Sequence, residues 1–311
     1  MEAFVRIPEE IDFPVVKEPL RVQLLDGSVI EDKKRAIIIR ADSGRVFGVV
    51  SPKYKLLQHK DVWGTFVDTI GSLEREFDVT SLTCNIRVTE HGARMYLIVN
   101  VPMIKVEVEE GDLVECAVIF QNSLDGSSRV GMTLEGKRLV CKNGLKIPEK
   151  WMSIRKVHLG KIDQETLLKG ALKLIYNFKD LEAIFKLMAN VRTTKNDVLS
   201  AFEVCRKQQM FSKFFVENVM ANVKREDPSI WDVYNGMTSV ATHVLGRENY
   251  EVFRKVTDRA AVLARAWIET PPREWADEWR AKNKDQGLFL DADADFSVDS
   301  TIDADVVDFD S

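Results

Sequence analysis

The sequence predicts an α+β protein: an N-terminal antiparallel β-rich half with one packed helix, then an α-helical half and a disordered acidic C-terminal tail. Three observations carry this. Apolar residues alternate or cluster in short β-branched runs up to about residue 145, and from Asp163 onward they recur at helical spacing. Residues 288–311 hold eight Asp and no Lys or Arg, too little apolar surface to offset chain entropy. Strands first and helices later argue against alternating βαβ units. The expected parts are a β-rich domain at 1–161, a helical domain at 162–285 and the tail at 286–311.

Within residues 1–50 the runs RVQLLDG, RAIIIRA and RVFGVVSP, separated by turns containing Gly, Asp and Ser, predict a small antiparallel sheet. After Pro52, HKDVWGTFVDTIGSLERE spaces Val62, Phe66, Val67 and Ile70 as one helix face, despite the helix-weakening Gly64. LTCNIRV, HGARMYLIVNVP and LVECAVIFQNS read as strands, with Glu90-His91-Gly92 as the hairpin turn between the first two. CAVIFQNS and RVGMTLEGKRLVC bracket Asp125-Gly126-Ser127-Ser128 as a second hairpin. Six helices are expected to follow, with starts marked by Asp163, by Asn196-Asp197 and by Asp227 before Pro228. The helical part is expected to end near Thr270-Pro271-Pro272. In MFSKFFVENVM, residues Phe211, Phe214, Phe215 and Met220 fall at packing spacing, so this aromatic stretch reads as core.

With 45% hydrophobic and 30% charged residues the composition is that of a globular protein. No window holds the roughly 18 apolar residues of a membrane span, and MEAFVRIPEEIDFPVV lacks the pattern of a secretory signal, so a cytoplasmic protein is expected. Cys84, Cys116, Cys141 and Cys205 are scattered, with no C-x-x-C pair, and read as reduced thiols of the core. The phosphate-cradling, zincin and hydrolase motifs are missing, and no cofactor or metal is implied. His59, His91, His158 and His243 are dispersed along the chain.

The net charge of −5 hides a segregation: without the tail, 44 basic residues face 41 acidic ones, a body of +3. Residues 136–161 concentrate that charge. Lys137, Arg138, Lys142, Lys146, Lys150, Arg155, Lys156 and Lys161 stand against the single acid Glu149. Such a cluster binds phosphate backbones by releasing their counterions, and the interleaved Trp151 offers a base-stacking face. A solvated, lysine-rich linker is the plainer alternative. Arg129, on the second hairpin, joins the candidates for nucleic acid. In the tail Phe296, Val298, Ile302, Val306, Val307 and Phe309 punctuate the acids, and Asp305, Asp308, Phe309 and Asp310 are the candidate docking tip for a protein partner. The tail resembles those of bacterial and tailed-phage single-stranded DNA-binding proteins, although Asp310 and Ser311 follow its Phe309.

YKLLQHKDVWGTF at 54–66, QNSLDGSSRVGMTLEGKRLVCKNGL at 121–145 and WDVYNGMTSVATHV at 231–244 together resemble a family of phages, plasmids and prophages, the domain of unknown function 932. The resemblance covers roughly residues 45–267 and rests on Asn122, Ser123, Asp125, Gly126 and Ser127, then Arg138, Val140, Cys141, Asn143 and Gly144. It implies work on mobile-element DNA. It leaves two readings of the hairpin: turn punctuation, or Ser127, Ser128, Arg129 and Arg138 lining one end and facing phosphate. The expectation drawn from all this is a non-catalytic single-stranded DNA-binding or strand-annealing protein of phage or plasmid replication and recombination, whose tail recruits partner proteins. Homo-oligomers stay open. The alternatives are a DNA-processing enzyme using Asp125, His158 and His243, or a regulator whose tail mimics DNA.

Overall fold

The computed structural model describes residues 6–73, 79–89, 91–128, 130–139, 144–146, 153–156, 164–245 and 250–283. They form two compact units: one of Met1–Ile104, Cys116–Leu134 and Glu149–Phe178, the other of Lys105–Glu115, Glu135–Pro148 and Lys179–Ser311. The division departs from the expected boundary at 161, because long strands begin in one unit and end in the other.

In the first unit β1 (Val15–Gln23), β2 (Val29–Arg40) and β3 (Val46–Val50) make the expected antiparallel sheet, in the order β1-β2-β3. Its inner face contributes Val15 and Ile38 to a cluster with Phe13, Tyr54 and Leu124. β3 lies hard against the second hairpin: a Cβ on Gly48 would come within 2.9 Å of the Asp125 carbonyl oxygen. Only glycine lets the two backbones approach so closely. Helix α1 (His59–Leu73) follows, its Phe66 ring 5.9 Å from Phe120.

The larger sheet is built from β4 (Thr83–Val88), β5 (Arg94–Glu107), β6 (Leu113–Ser123), β7 (Val130–Arg138) and β8 (Gly144–Lys146), in that order, with β9 (Ser153–Lys156) also on β7. Consecutive residues of β6 from Cys116 to Ser123 are buried, as expected of a strand covered on both faces. Helix α2 (Gln164–Asn177) packs on α1.

The second unit holds α3 (Leu181–Asn190), α4 (Lys195–Lys207), α5 (Lys213–Asn222), α6 (Ile230–His243), α7 (Tyr250–Glu269) and α8 (Pro272–Lys282). α6 is its axis, buried along most of its length and packed by α3, α5 and α7. Its Gly236 faces Val219 and Val223 of the α5 segment, at distances where a Cβ would meet Val223 at 3.1 Å. Of the aromatic stretch expected in the core, Phe211 and Phe215 stack 4.7 Å apart and are buried, Met220 is partly buried, and Phe214, one position before Phe215 on the helix and so turned to another face, is exposed against expectation.

Three sequence expectations need correction. From residue 164 on, seven helices are described where six were expected. Pro271-Pro272 opens the seventh, because proline at the first helical position lacks only an N–H that would have no partner there. The caps also lie elsewhere. Thr194, not Asn196 or Asp197, caps α4, accepting from the Asp197 amide. At α6, Ser229 and Asp232 form a reciprocal capping box two residues beyond Asp227.

Replacing Ser229, which is fully buried, by Ala is expected to lower the unfolding free energy by about 1–2 kcal/mol. The measurement is a urea titration, with the midpoint falling at unchanged slope.

Candidate functional site

Two polar centres draw in residues from all three stretches that carry the family resemblance. The first lies in the first unit, around the turn after β6. Asp125 and Gly126 set its shape: Gly126 has φ +74°, and the Asp125 carboxylate accepts from the Ser127 amide at 2.9 Å and from the Ser127 hydroxyl. The other carboxylate oxygen accepts from Arg94 Nε at 3.3 Å, and that same Nε donates to Ser127 Oγ at 2.6 Å. Ser123 Oγ closes the loop by accepting from the Ser128 amide and donating to the Ser128 carbonyl.

The residues after β3 lock onto this turn. Tyr54 Oη donates to the Ser123 carbonyl at 2.8 Å, and burial, helped by the Asp125 charge, pushes its phenol up to about 12. Asn122 Nδ2 donates to the Leu57 carbonyl at 2.8 Å and to His59 Nδ1 at 3.0 Å. His59 Nε2 lies 2.8 Å from the Gly92 carbonyl. A carbonyl can only accept, so the proton sits on Nε2 and the ring is a neutral imidazole with both nitrogens engaged. Burial drives its pKa down to about 4. This histidine is a brace between α1 and two hairpins.

The second centre lies in the second unit, where Asp112, 6% exposed, sits in the turn between β5 and β6. Arg138 holds it through two bonds, Nε to Oδ1 at 2.6 Å and a terminal nitrogen to Oδ2 at 2.7 Å. Trp231 Nε1, on α6, adds a third bond to Oδ2 at 2.8 Å. The guanidinium also lies 5.9 Å from the Trp231 ring centroid. Nearby in the same unit, Tyr250 Oη is 3.4 Å from the buried Glu135, and burial with the Glu135 and Asp258 charges raises the Tyr234 phenol.

The sequence candidates fall as follows. Arg138, a phosphate-ligand candidate of the sequence, is engaged by Asp112. It is the last residue of β7 and falls in the second unit, whereas Ser127 and Ser128 fall in the first. Lys137, half-buried, pairs in the ladder with Gly144. Lys146 stands on β8, and Arg155 and Lys156 on β9. Arg129, Lys142, Lys150, Trp151 and Lys161 lie outside the described residues, as do His158, Cys141 and the tail tip Asp305, Asp308, Phe309 and Asp310. Asp125 and His243 belong to different compact units. Of the cysteines, Cys116 and Cys205 are buried and Cys84 partly so; burial pushes Cys84 and Cys205 up to about 12, and Cys116 upward too.

Sequence reasoning missed Asp112, Trp231 and the His59–Asn122 pair. Nothing in Glu-Glu-Gly-Asp marks its last acid as the one that turns inward, and His59 and Asn122 are 63 residues apart.

Two predictions follow from these centres. The folded His59 pKa, about 4, lies below its unfolded value of 6.5, so the unfolded chain takes up the proton first. The stability this group protects is complete above pH 6.5 and is lost as pH falls toward 4, about 2 kcal/mol of it between pH 7 and pH 5. Urea titrations at the two pH values measure it, and H59Q is expected to flatten that dependence. R138M strands a buried carboxylate and is expected to cost about 3–5 kcal/mol in the same assay, with D112N on that background recovering part.

Against known proteins, neither a curated protein nor a solved structure matches the chain. The sequence profile of one family does, over residues 46–268, which include every residue of both centres. That span takes in well over half the chain, and the protein therefore belongs to the family described as Domain of unknown function (DUF932).

Proposed function

We propose that this protein binds single-stranded DNA, sequence-tolerantly and without catalysis, in phage or plasmid replication or recombination, strand annealing included. The observation that carries the reading is the density of positive charge in residues 136–161 together with its place on the sheet. Those residues return twice to β7 as strands, Lys137 opposite Gly144 and Glu135 opposite Lys146 in the second unit, and Val130 opposite Lys156 and Gly131 opposite Arg155 in the first. A linker solvated on all sides would not be threaded into a ladder this way. Strands hold cations at fixed spacing along the backbone, which suits a polymer of regularly spaced phosphates better than a tether does.

Arg138 is withdrawn from the binding set because Asp112 neutralises it, which still leaves Lys137, Lys142, Lys146, Lys150, Arg155, Lys156 and Lys161 against Glu149. Trp151 supplies the stacking face, worth roughly 1–3 kcal/mol per base. The eight Asp of the tail repel phosphate and attract basic protein surfaces, so the tail is the recruiting element, with Asp305, Asp308, Phe309 and Asp310 as its tip.

Fluorescence anisotropy with a labelled single-stranded oligonucleotide tests the reading. Affinity is expected to fall steeply as salt rises, to vary little with sequence, and to increase when the chain is cut after Gly287. Changing Lys150, Arg155 and Lys156 to Glu is expected to abolish binding, whereas W151A weakens it without changing the salt slope. Absence of binding at low salt by the truncated chain would sink the proposal.

A further inference from the structure

The three-stranded sheet is apolar on both faces, and among the described residues only one face is covered. Inward, Ile38 is fully buried and Ala36 nearly so. Residues directly opposite in a ladder share a face. The register pairs Ile39 with Val16 and Val46, and Ile37 with Glu18 and Val49. This outward set contains five β-branched aliphatic residues around a single charge, and Val16, Val46 and Val49 are 38%, 51% and 50% exposed.

Beyond this face the same two strands run on as an arm. Between the pairs Pro19–Ala36 and Leu20–Asp32, β2 holds three extra residues, Lys33, Lys34 and Arg35, where β1 holds none. Past that bulge, residues 20–32 form a bare two-stranded ribbon that β3 does not reach, closed by a turn with Gly27 at φ +84°. Val22 pairs with Ile30 on one side, and Leu24 and Leu25 sit at the tip. Their exposures are 51%, 55%, 41% and 110%. A two-stranded ribbon alone is marginal in water, and one carrying aliphatic side chains at its end is a liability unless something covers it.

We propose that a second copy of this chain covers it: the arm of each protomer lies across the outward sheet face of the other, in a two-fold exchange. Three features select this occupant. Arm and seat are both apolar and both present in one chain, so two copies satisfy both at once. β1 is unbroken through Pro19 and Leu20, so an arm cannot double back onto its own seat. The charges match as well. Glu18, at the centre of the seat, has no ion partner among the described residues, and neither have Lys33 and Lys34 at the root of the arm. The arm with its seat amounts to about 20 residues from each protomer, the lower end of a standard interface. This proposal is independent of the DNA reading.

Sedimentation of the full chain across about 1–100 μM tests it. The wild-type protein is expected to sediment as a dimer. V22D with L25D, which removes the arm, and V49D, which removes the seat, are each expected to sediment as monomers with unchanged circular dichroism. Because these positions are exposed, the gentler V22S and V49S are expected to weaken dimerisation in the same direction. The decisive arm is mixing. The arm variant keeps its seat and the seat variant keeps its arm, so an equimolar mixture is expected to regain dimers through one intact contact. A wild-type monomer throughout the range overturns the proposal, as does a dimer indifferent to both sets of substitutions or a mixture that stays monomeric. Loss of oligonucleotide binding by the arm variant of a monomeric wild type would assign the arm to DNA instead.

Discussion

A carboxylate removed from water must be given back the hydrogen bonds it lost, and Asp112 is the place where this protein meets that demand. Two guanidinium N–H groups and one indole N–H converge on it. The acid and its donors come from three different pieces of chain: the turn after β5 holds the acid, β7 ends in Arg138 and α6 begins with Trp231 near its cap. A buried ion pair adds little net stability over an apolar equivalent, but it is intolerant of the wrong partner, and so it fixes which strand end meets which helix. In the second unit this one anion joins a turn, a strand end and a helix start.

The first unit solves a similar problem with neutral groups. Asn122 has two amide hydrogens and uses one on a carbonyl and one on an imidazole, and the imidazole passes its own hydrogen to a second carbonyl. The chain of bonds has a direction, which only the neutral ring supports. Around it, Tyr54 and the Asp125 turn tie the segment after β3 to the end of β6. Among the described residues that carry the family resemblance, Asn122, Ser123, Asp125, Ser127 and Arg138 each have geometrically exacting partners. Arg138 illustrates the point: its position in a basic segment suggested phosphate, whereas its partner is internal.

Much of the fold was legible in the sequence, and the reasons are physical. β6 announces itself by a continuous apolar run, and α3 to α7 by apolar residues three and four apart. The illegible parts share a cause, which is that the deciding partner is distant in sequence. Pro271-Pro272 looks like a terminator until a helix is seen to start on it. VIEDKK falls between the expected strand runs, because a ribbon exposed on both sides has no buried face to impose alternation on its residues. At the candidate site, charge density was visible, but the burial that removes Arg138 from that density was not.

The three extra residues in β2 interrupt the ladder without turning it over. Residues opposite in a ladder share a side and β1 runs on past the bulge, so Val22 fixes the side of Ile30 and Arg21 that of Glu31, whatever the length of the loop between the two halves. Lys33, Lys34 and Arg35 are thereby a place where the chain can lengthen or shorten at little cost: a residue gained or lost there is absorbed as loop, and the apolar pair at the arm keeps the direction it faces.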